Sequence, residues 1–206
     1  MKLSDHITYF MLNIMRICLS SIPARSRYRL ASRLAIIAYQ YVPLRKIQAK
    51  INIERAFPHW SEKKVLRTLK NTYLFFIDNL IQFIAIPKSW EQIKIDVIGE
   101  DILSSCLNQN KGVISITGHF GAWEILGKWL GEYADLFTGV AQRQKNKGVD
   151  KFFLEQRSLP GTKQIFRKEP IEKMYDVLSQ NGLLGLISDQ DAKGNGVFVN
   201  FFGLPA

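Results

Sequence analysis

The apolar residues of this chain follow two patterns, and the change between them falls near residue 93. Before that point they recur three or four positions apart, which is the spacing of helices with one apolar face. The spacing predicts helices over residues 7–22, 30–42, 46–57 and 61–87, and the last three stop at Pro43, Pro58 and Pro87. The first part of the chain is therefore predicted to be helical.

From residue 93 onward, short apolar runs alternate with amphipathic stretches. This rhythm predicts strands at residues 93–98, 113–117, 137–142, 163–166 and 183–187, an extended edge at 197–202, and helices at 100–108, from 122, at 149–158 and at 171–180. Such alternation is typical of βαβ crossovers, and it predicts an α/β fold with a largely parallel central sheet flanked by helices. The chain ends just after a predicted strand and a turn, so we expect the C-terminal part of this domain to be missing.

The positive charge of the chain is concentrated at its beginning. The formal net charge is +10, and residues 1–60 account for +8 of it, with ten Lys/Arg against Asp5 and Glu54. The same region holds the apolar run 7–22, which Asn13 and Arg16 interrupt and which is short for a spanning helix. We therefore predict a membrane-associating helical segment at 1–45 and a domain at 46–206. An acidic protein or nucleic acid would also suit this charge, and a helix packed on the domain is the simpler alternative.

Candidate chemistry begins at a glycine-flanked turn, Gly118-His119-Phe120-Gly121, which follows the strand predicted at 113–117. His119 is thus expected at the carboxyl end of a strand and beside a helix N-terminus, where open α/β sheets bind ligands. Glu124 falls in the first turn of that helix, where a carboxylate is favoured. The two side chains suggest a general base and the group that orients it. A core histidine bonded to a backbone carbonyl is the structural alternative.

Further polar residues follow the next predicted strands. Arg143 and Lys145 come after the strand at 137–142, and Asp189-Gln190-Asp191 after the strand at 183–187. These cations suit an anionic substrate. Two aspartates one residue apart also fit a metal-dependent glycosyltransferase that uses Asp189 and Asp191, and this alternative stays open on the residues alone.

Four segments, taken in order, resemble the bacterial lipid A biosynthesis lauroyl/myristoyl acyltransferases of the lysophospholipid acyltransferase superfamily. Residues 118–124 resemble the H-x4-D/E motif, with Glu124 in place of the aspartate common in the wider superfamily. The others are Asn52-Ile53-Glu54-Arg55-Ala56-Phe57-Pro58, the strand-end pair Arg143-Gln144, and Asp189-Gln190 with Gly196 and Phe201-Phe202-Gly203-Leu204-Pro205-Ala206. The resemblance covers roughly residues 45–206.

The resemblance implies an O-acyltransferase that moves a fatty acyl chain from acyl carrier protein, or acyl-CoA, to a hydroxyl of a lipid A precursor or related anionic glycolipid. It implies work at the membrane surface, on the cytoplasmic face of the bacterial inner membrane, with no cofactor, no metal and no nucleic acid. His119 and Glu124 are then the expected catalytic residues. The expected substrate-binding residues are Phe120, Gly121, Arg143, Gln144, Arg157, Asp189 and Gln190.

Overall fold

A computed structural model describes residues 1–43, 45–86, 88–158, 160–190 and 196–205 of the chain. Contacts group the chain into two compact units, one made of residues 1–21 and 83–190 and the other of residues 22–82 and 191–206. The predicted division at residue 45 concerned membrane association, and it stays a prediction.

The first unit contains a parallel sheet, which confirms the predicted α/β fold. Its four strands are β1 (Val113–Thr117), β2 (Phe137–Ala141), β3 (Thr162–Phe166) and β4 (Leu183–Ile187), in the order β1-β4-β2-β3. The last strand in sequence therefore lies between the first two. Since the strands are parallel, their carboxyl ends meet at one edge of the sheet.

The helices of the described residues lie close to their predicted positions. The first unit contains α1 (Leu3–Ser20), α5 (Glu100–Leu107), α6 (Trp123–Tyr133), α7 (Lys147–Arg157) and α8 (Glu172–Ser179), with a 3-10 turn at Trp90–Gln92. The second contains α2 (Ala24–Tyr41), α3 (Lys46–Ala56), most of α4 (Glu62–Ala85), and a hairpin of β5 (Asn200–Phe201) and β6 (Leu204–Pro205). In the first unit, α6 covers the sheet through a core that contains Leu130, Ala134, Phe137 and Leu183.

Helix α1 packs tightly on α7. A Cβ added at Gly148 would lie 1.9 Å from the carbonyl oxygen of Asp5, so the two backbones approach as closely as glycine permits. The Asp5 carboxylate is buried and accepts a hydrogen bond from the backbone N–H of Lys147, and the Tyr9 hydroxyl donates to Glu155 at 2.8 Å. The first helix is thus a packed part of the α/β unit.

The opposite face of α1 is apolar and exposed. Side chains three or four positions apart form this stripe: Leu3, Ile7, Phe10, Met11, Ile14 and Ile17. Their exposed fractions run from 44% at Ile14 to 77% at Leu3. Within the described residues, none of the helices combines the length and the apolar character needed to cross a membrane.

Two expectations from the sequence are wrong. Residues 93–98 alternate like a strand but form none, and Ile98 is fully exposed, because no strand of the described chain pairs with them. Residues 197–202 do not extend the sheet; Phe202 and Gly203 take positive φ angles of 53° and 78° and turn the chain into the β5–β6 hairpin.

Candidate active site

His119 and Asp189 meet because each stands two residues beyond the end of a strand. Strands β1 and β4 are neighbours, and their last residues, Thr117 and Ile187, are paired in register. The equal offset places the two side chains opposite each other at the carboxyl edge. Nδ1 of His119 lies 2.7 Å from one carboxylate oxygen of Asp189, and the backbone N–H of His119 donates to the other at 2.8 Å.

The contact with Asp189 favours one tautomer of the neutral His119 ring. Partial burial acts to raise the pKa of the Asp189 carboxyl, but the hydrogen bonds and the charge of His119 outweigh it, so this pKa lies below its usual value. An ionised carboxylate only accepts hydrogen bonds, so it favours the neutral tautomer that has its proton on Nδ1 and its lone pair on Nε2. The Asp189 carboxylate therefore orients the His119 ring, and a histidine held in this way can accept a proton at Nε2.

Two glycines shape the turn that carries His119. A Cβ at Gly118 would lie 3.0 Å from the Phe120 ring and 3.3 Å from Cγ of Asp189, so glycine leaves room for the carboxylate. Gly121 has a φ of +64°, a left-handed conformation that favours glycine. Phe120 projects into solvent with 72% of its surface exposed, and the Trp123 ring stands edge-on to the His119 ring at 5.2 Å. The turn is thus open above the histidine.

Glu124 contacts Arg157, and among the described residues the carboxylate bonded to His119 is that of Asp189; the catalytic role expected of Glu124 stays a prediction. Nε and an Nη of Arg157 donate to the two Glu124 oxygens at 3.0 and 2.5 Å, a bidentate ion pair between the start of α6 and the end of α7. The Arg157 guanidinium also lies 5.5 and 5.4 Å from the centres of the Phe83 and Phe153 rings. The side chain of Glu124 extends from α6 towards α7. The separation of five residues between His119 and Glu124 in the sequence does not reveal this direction.

Arg143 and Gln144 lie on the same edge, beyond β2. An Nη of Arg143 donates to Asp150 at 3.0 Å, its guanidinium lies 3.7 Å from the centre of the Phe166 ring, and the Gln144 backbone donates to Asp150 at 2.8 Å. An open cavity of about 420 Å³ is lined here by Gln142, Arg143, Gln144, Lys145, Asn146 and Val149. Since β4 lies between β1 and β2, we estimate about 10 Å between this loop and the His119 turn.

Gln156 contributes to the site although sequence reasoning gave it no role. Its side chain is buried, and its amide nitrogen lies 2.7, 3.1 and 2.8 Å from the carbonyl oxygens of Phe83, Ile84 and Ile86. These contacts hold the end of α7 against the end of α4, next to Arg157. Its only sequence signal is its place beside that arginine.

One of the remaining expected residues, Gln190, lies among the described residues. Gln190 follows Asp189 directly and is exposed. Asp191, the second aspartate of the glycosyltransferase alternative, lies outside the described residues. Asp189 itself is engaged by His119.

Similar proteins were found in comparisons of the whole sequence. A sequence model of the family described as "Bacterial lipid A biosynthesis acyltransferase" matches residues 1–206. The chain is 32% identical, over 53% of its length, to "Phosphatidylinositol mannoside acyltransferase" of Mycolicibacterium smegmatis, and 30% identical, over 52%, to the protein of that name in Mycobacterium tuberculosis. It is 24% identical, over 90% of its length, to "Lipid A biosynthesis acyltransferase" of Haemophilus influenzae.

The matched segments cover 38%, 35% and 59% of those three relatives, in the same order. The family match extends over every residue of the chain, and it includes the strand-end turn that holds His119 and the β4 end that holds Asp189. The chain belongs to the bacterial lipid A biosynthesis acyltransferase family.

Proposed function

We propose that this protein transfers a fatty acyl chain from an acyl thioester, carried by acyl carrier protein or CoA, to a hydroxyl of an anionic glycolipid. The observation that carries the proposal is the His119–Asp189 pair, which leaves one imidazole nitrogen free at an open edge of the sheet. Family membership supplies the reaction class, and the names of the relatives, which include a phosphatidylinositol mannoside and lipid A, point to a glycolipid acceptor.

The reaction needs only one proton carrier. Nε2 of His119 takes the proton of the acceptor hydroxyl as its oxygen attacks the thioester carbonyl. Asp189 stabilises the imidazolium that forms, as an aspartate does beside a catalytic histidine. The tetrahedral intermediate then expels the thiolate, which takes the proton back from the imidazolium. The products are the acyl ester and the free thiol of the carrier, and His119 ends as a neutral base.

Glu124 and Arg157 act in this scheme by fixing the start of α6. The ion pair ties the first turn of that helix to the end of α7, and it is largely shielded from solvent, with side-chain exposures of 19% and 24%. The backbone N–H groups of residues 120–122 are then held beside His119, where donors aimed at the developing oxyanion lower the barrier. Glu124 is therefore a positioning residue, which acts on the reaction by anchoring the start of α6.

The substrate contacts follow from the same edge. Arg143 is held by Asp150 and by the Phe166 ring, so it loses little conformational freedom when it binds a phosphate of the acceptor. Gln144 lines the same cavity, and Gln190 next to Asp189 offers both a donor and an acceptor for a sugar hydroxyl. Phe120 and Gly121 form the open wall of the turn.

The proposal includes attachment to the cytoplasmic face of the inner membrane. The apolar stripe of α1 is exposed on one side while the other side packs on α7. In the second unit, α2 exposes Arg25, Arg29 and Arg33 at four-residue spacing. Apolar side chains entering the lipid boundary and cations near anionic headgroups are the two elements of interfacial binding.

Replacing His119 tests the function directly. We expect His119→Ala to lower kcat by about 10² to 10⁴, the usual contribution of a general base, and His59→Ala, at an exposed histidine of the second unit, to leave it unchanged. The assay follows a labelled acyl group from thioester to extracted glycolipid, with circular dichroism as the folding control. A His119→Ala protein that is folded and keeps near-normal turnover would disprove the assignment.

The glycosyltransferase alternative makes the opposite prediction for metal chelation. EDTA is expected to leave acyl transfer by the wild-type protein unchanged. Activity lost with EDTA and restored only by a divalent cation would favour a metal site at Asp189 and Asp191.

A further inference from the structure

A group of cations without acidic partners among the described residues lies beyond β2 and β3, on the loops that follow these strands and at the first residue of α7. We call Lys145, Lys147, Arg167 and Lys168 the basic rim. All four side chains are exposed, and none forms an ion pair with a residue that the structure describes. The backbone N–H of Arg167 donates to the carbonyl of Ala141 at 2.9 Å, so the two loops that carry the basic rim are joined.

The nearby carboxylates are already engaged. Asp150 accepts from Arg143 and from the Gln144 backbone, and Glu169 is bonded to Lys173 and to the backbone of Phe166. The 146 residues after residue 60 carry a net charge of only +2. Four uncompensated cations on one edge are therefore a local concentration of charge in a nearly neutral part of the chain.

The basic rim borders the cavity beyond β2. Two cations, Arg143 and Lys145, and the amides of Gln142, Gln144 and Asn146 line it together with Val149, and the described lining contains no carboxylate. Asn146 uses its oxygen to cap α7, accepting from the N–H groups of Gly148 and Val149, and its amide N–H₂ is the group of this side chain that can donate. A projecting acidic group would find two cations and several amide N–H₂ donors in this recess.

The character of this surface separates it from the apolar stripe of α1. Large apolar side chains are exposed along α1, whereas none of residues 142–147 and 166–168 is an exposed large apolar residue. Lipid insertion requires apolar side chains, while charged surfaces without them increase the rate at which oppositely charged proteins meet. The two surfaces are thus suited to different partners.

We propose that the basic rim is the docking surface for a small acidic protein that delivers the acyl group as its thioester. The proposal rests on the proposed function, and it names the side from which the donor approaches. The basic rim lies on the same carboxyl edge as His119, so a thioester arm that extends from the docked carrier reaches the base across the ends of β2 and β4. Docking is electrostatic, and it weakens as salt screens the charges.

Charge reversal at the basic rim tests the proposal. We compare Arg167→Glu/Lys168→Glu with the matched control Lys94→Glu/Lys111→Glu, whose exposed lysines lie outside the basic rim. The donors are an acyl thioester on an acidic carrier protein and the same acyl group on neutral N-acetylcysteamine. At low salt we expect kcat/KM with the carrier-bound donor to fall about tenfold or more in the first variant only, and kcat/KM with the neutral thioester to stay unchanged in both.

A binding measurement separates this proposal from the proposed function. Titration of the wild-type protein with the unacylated carrier requires no turnover, and we expect binding that is lost in Arg167→Glu/Lys168→Glu and retained in the control. Equal carrier binding by both variants would overturn the docking surface. An Arg167→Glu/Lys168→Glu protein that no longer binds anionic vesicles but still binds the carrier would also overturn it. Binding by the carrier without transfer from either thioester would instead count against the proposed function and leave the docking surface standing.

Discussion

Replacing Asp189 by asparagine changes one atom of the side chain and both of its contacts. The carboxylate accepts from the His119 backbone at 2.8 Å and faces Nδ1 of the ring at 2.7 Å. An amide has one acceptor and one donor group. If its oxygen keeps the backbone contact, its N–H₂ faces Nδ1, and the ring must then carry its proton on Nε2. If the amide turns over, its N–H₂ meets the backbone N–H, and that hydrogen bond is lost.

The first orientation removes the base, because Nε2 can no longer take a proton. An asparagine that imposes the wrong histidine tautomer lowers kcat by about 10⁴ in a serine protease, and a general base contributes about 10² to 10⁴. At 1.36 kcal/mol for each factor of ten, this range equals about 3 to 5 kcal/mol of transition-state stabilisation. We therefore expect kcat of Asp189→Asn to fall by 10² or more, with the KM for the donor nearly unchanged.

The assay compares Asp189→Asn with Asp189→Ala and with Asp176→Asn, at an exposed aspartate of α8. Asp189→Ala leaves the ring free to adopt either tautomer, so we expect it to keep at least as much activity as Asp189→Asn. A kcat of Asp189→Asn within about threefold of wild type, in a folded protein, would refute the tautomer argument, since a factor of three is only about 0.7 kcal/mol.

The same variant predicts a pH dependence of stability. The pKa of Asp189 is lower in the folded protein than its usual value, so its contribution to stability is complete above the usual aspartate pKa of about 3.9 and is lost as pH falls through the folded value. The difference in melting temperature between wild type and Asp189→Asn should therefore shrink below about pH 4. A difference that grows in acid would contradict this sign.

Three further predictions concern α1, α7 and the membrane. Gly148→Ala should lower the free energy of unfolding by about 1 to 3 kcal/mol or more, because the new methyl group would lie 1.9 Å from the Asp5 carbonyl oxygen; urea unfolding measures this, and an unchanged midpoint would contradict it. Arg157→Lys should lower kcat for both carrier-bound and neutral donors, because lysine cannot form the bidentate pair with Glu124, and equal activity would show that the pair is dispensable. Co-sedimentation with liposomes should weaken when Phe10 of the α1 stripe is replaced by serine and should be stronger for anionic than for neutral lipid; binding unaffected by either change would refute membrane docking through this face.

The sequence was sufficient for features that depend on local periodicity. Strand β4 has the predicted bounds, and the glycine-flanked turn after β1 follows from the five strand-prone residues before it. The paired partner of His119 was beyond such reasoning. Glu124 is close to His119 in sequence, but the order of the strands decides which carboxylate is close to His119 in space. The local sequences of β1 and β4 do not show that these strands are neighbours. His119 and Asp189 each lie two residues beyond the end of a strand, and this equal offset was the available signal. It is informative only when β1 and β4 are known to be neighbours.

The same limit explains the predicted strand at residues 93–98. The alternating pattern indicates which face of an extended chain would be apolar. A strand forms only where a neighbouring strand completes its hydrogen bonds, and none of the described strands pairs with residues 93–98. The exposed stripe of α1 shows the converse. Its periodicity predicted a helix, yet only the position of α7 shows which face is covered.

The central position of β4 has a consequence for when the His119–Asp189 pair can form during synthesis. The ribosome releases β1, β2 and β3 before β4, so the nascent sheet contains a gap between its first two strands until the fourth arrives. His119 precedes Asp189 by 70 residues, which at about 5 to 20 residues per second is roughly 4 to 14 s of translation. During that interval the histidine lacks the carboxylate that orients it. Closure of the sheet and assembly of the His119–Asp189 pair are therefore one event, and a partly synthesised chain lacks the carboxylate that orients the His119 ring.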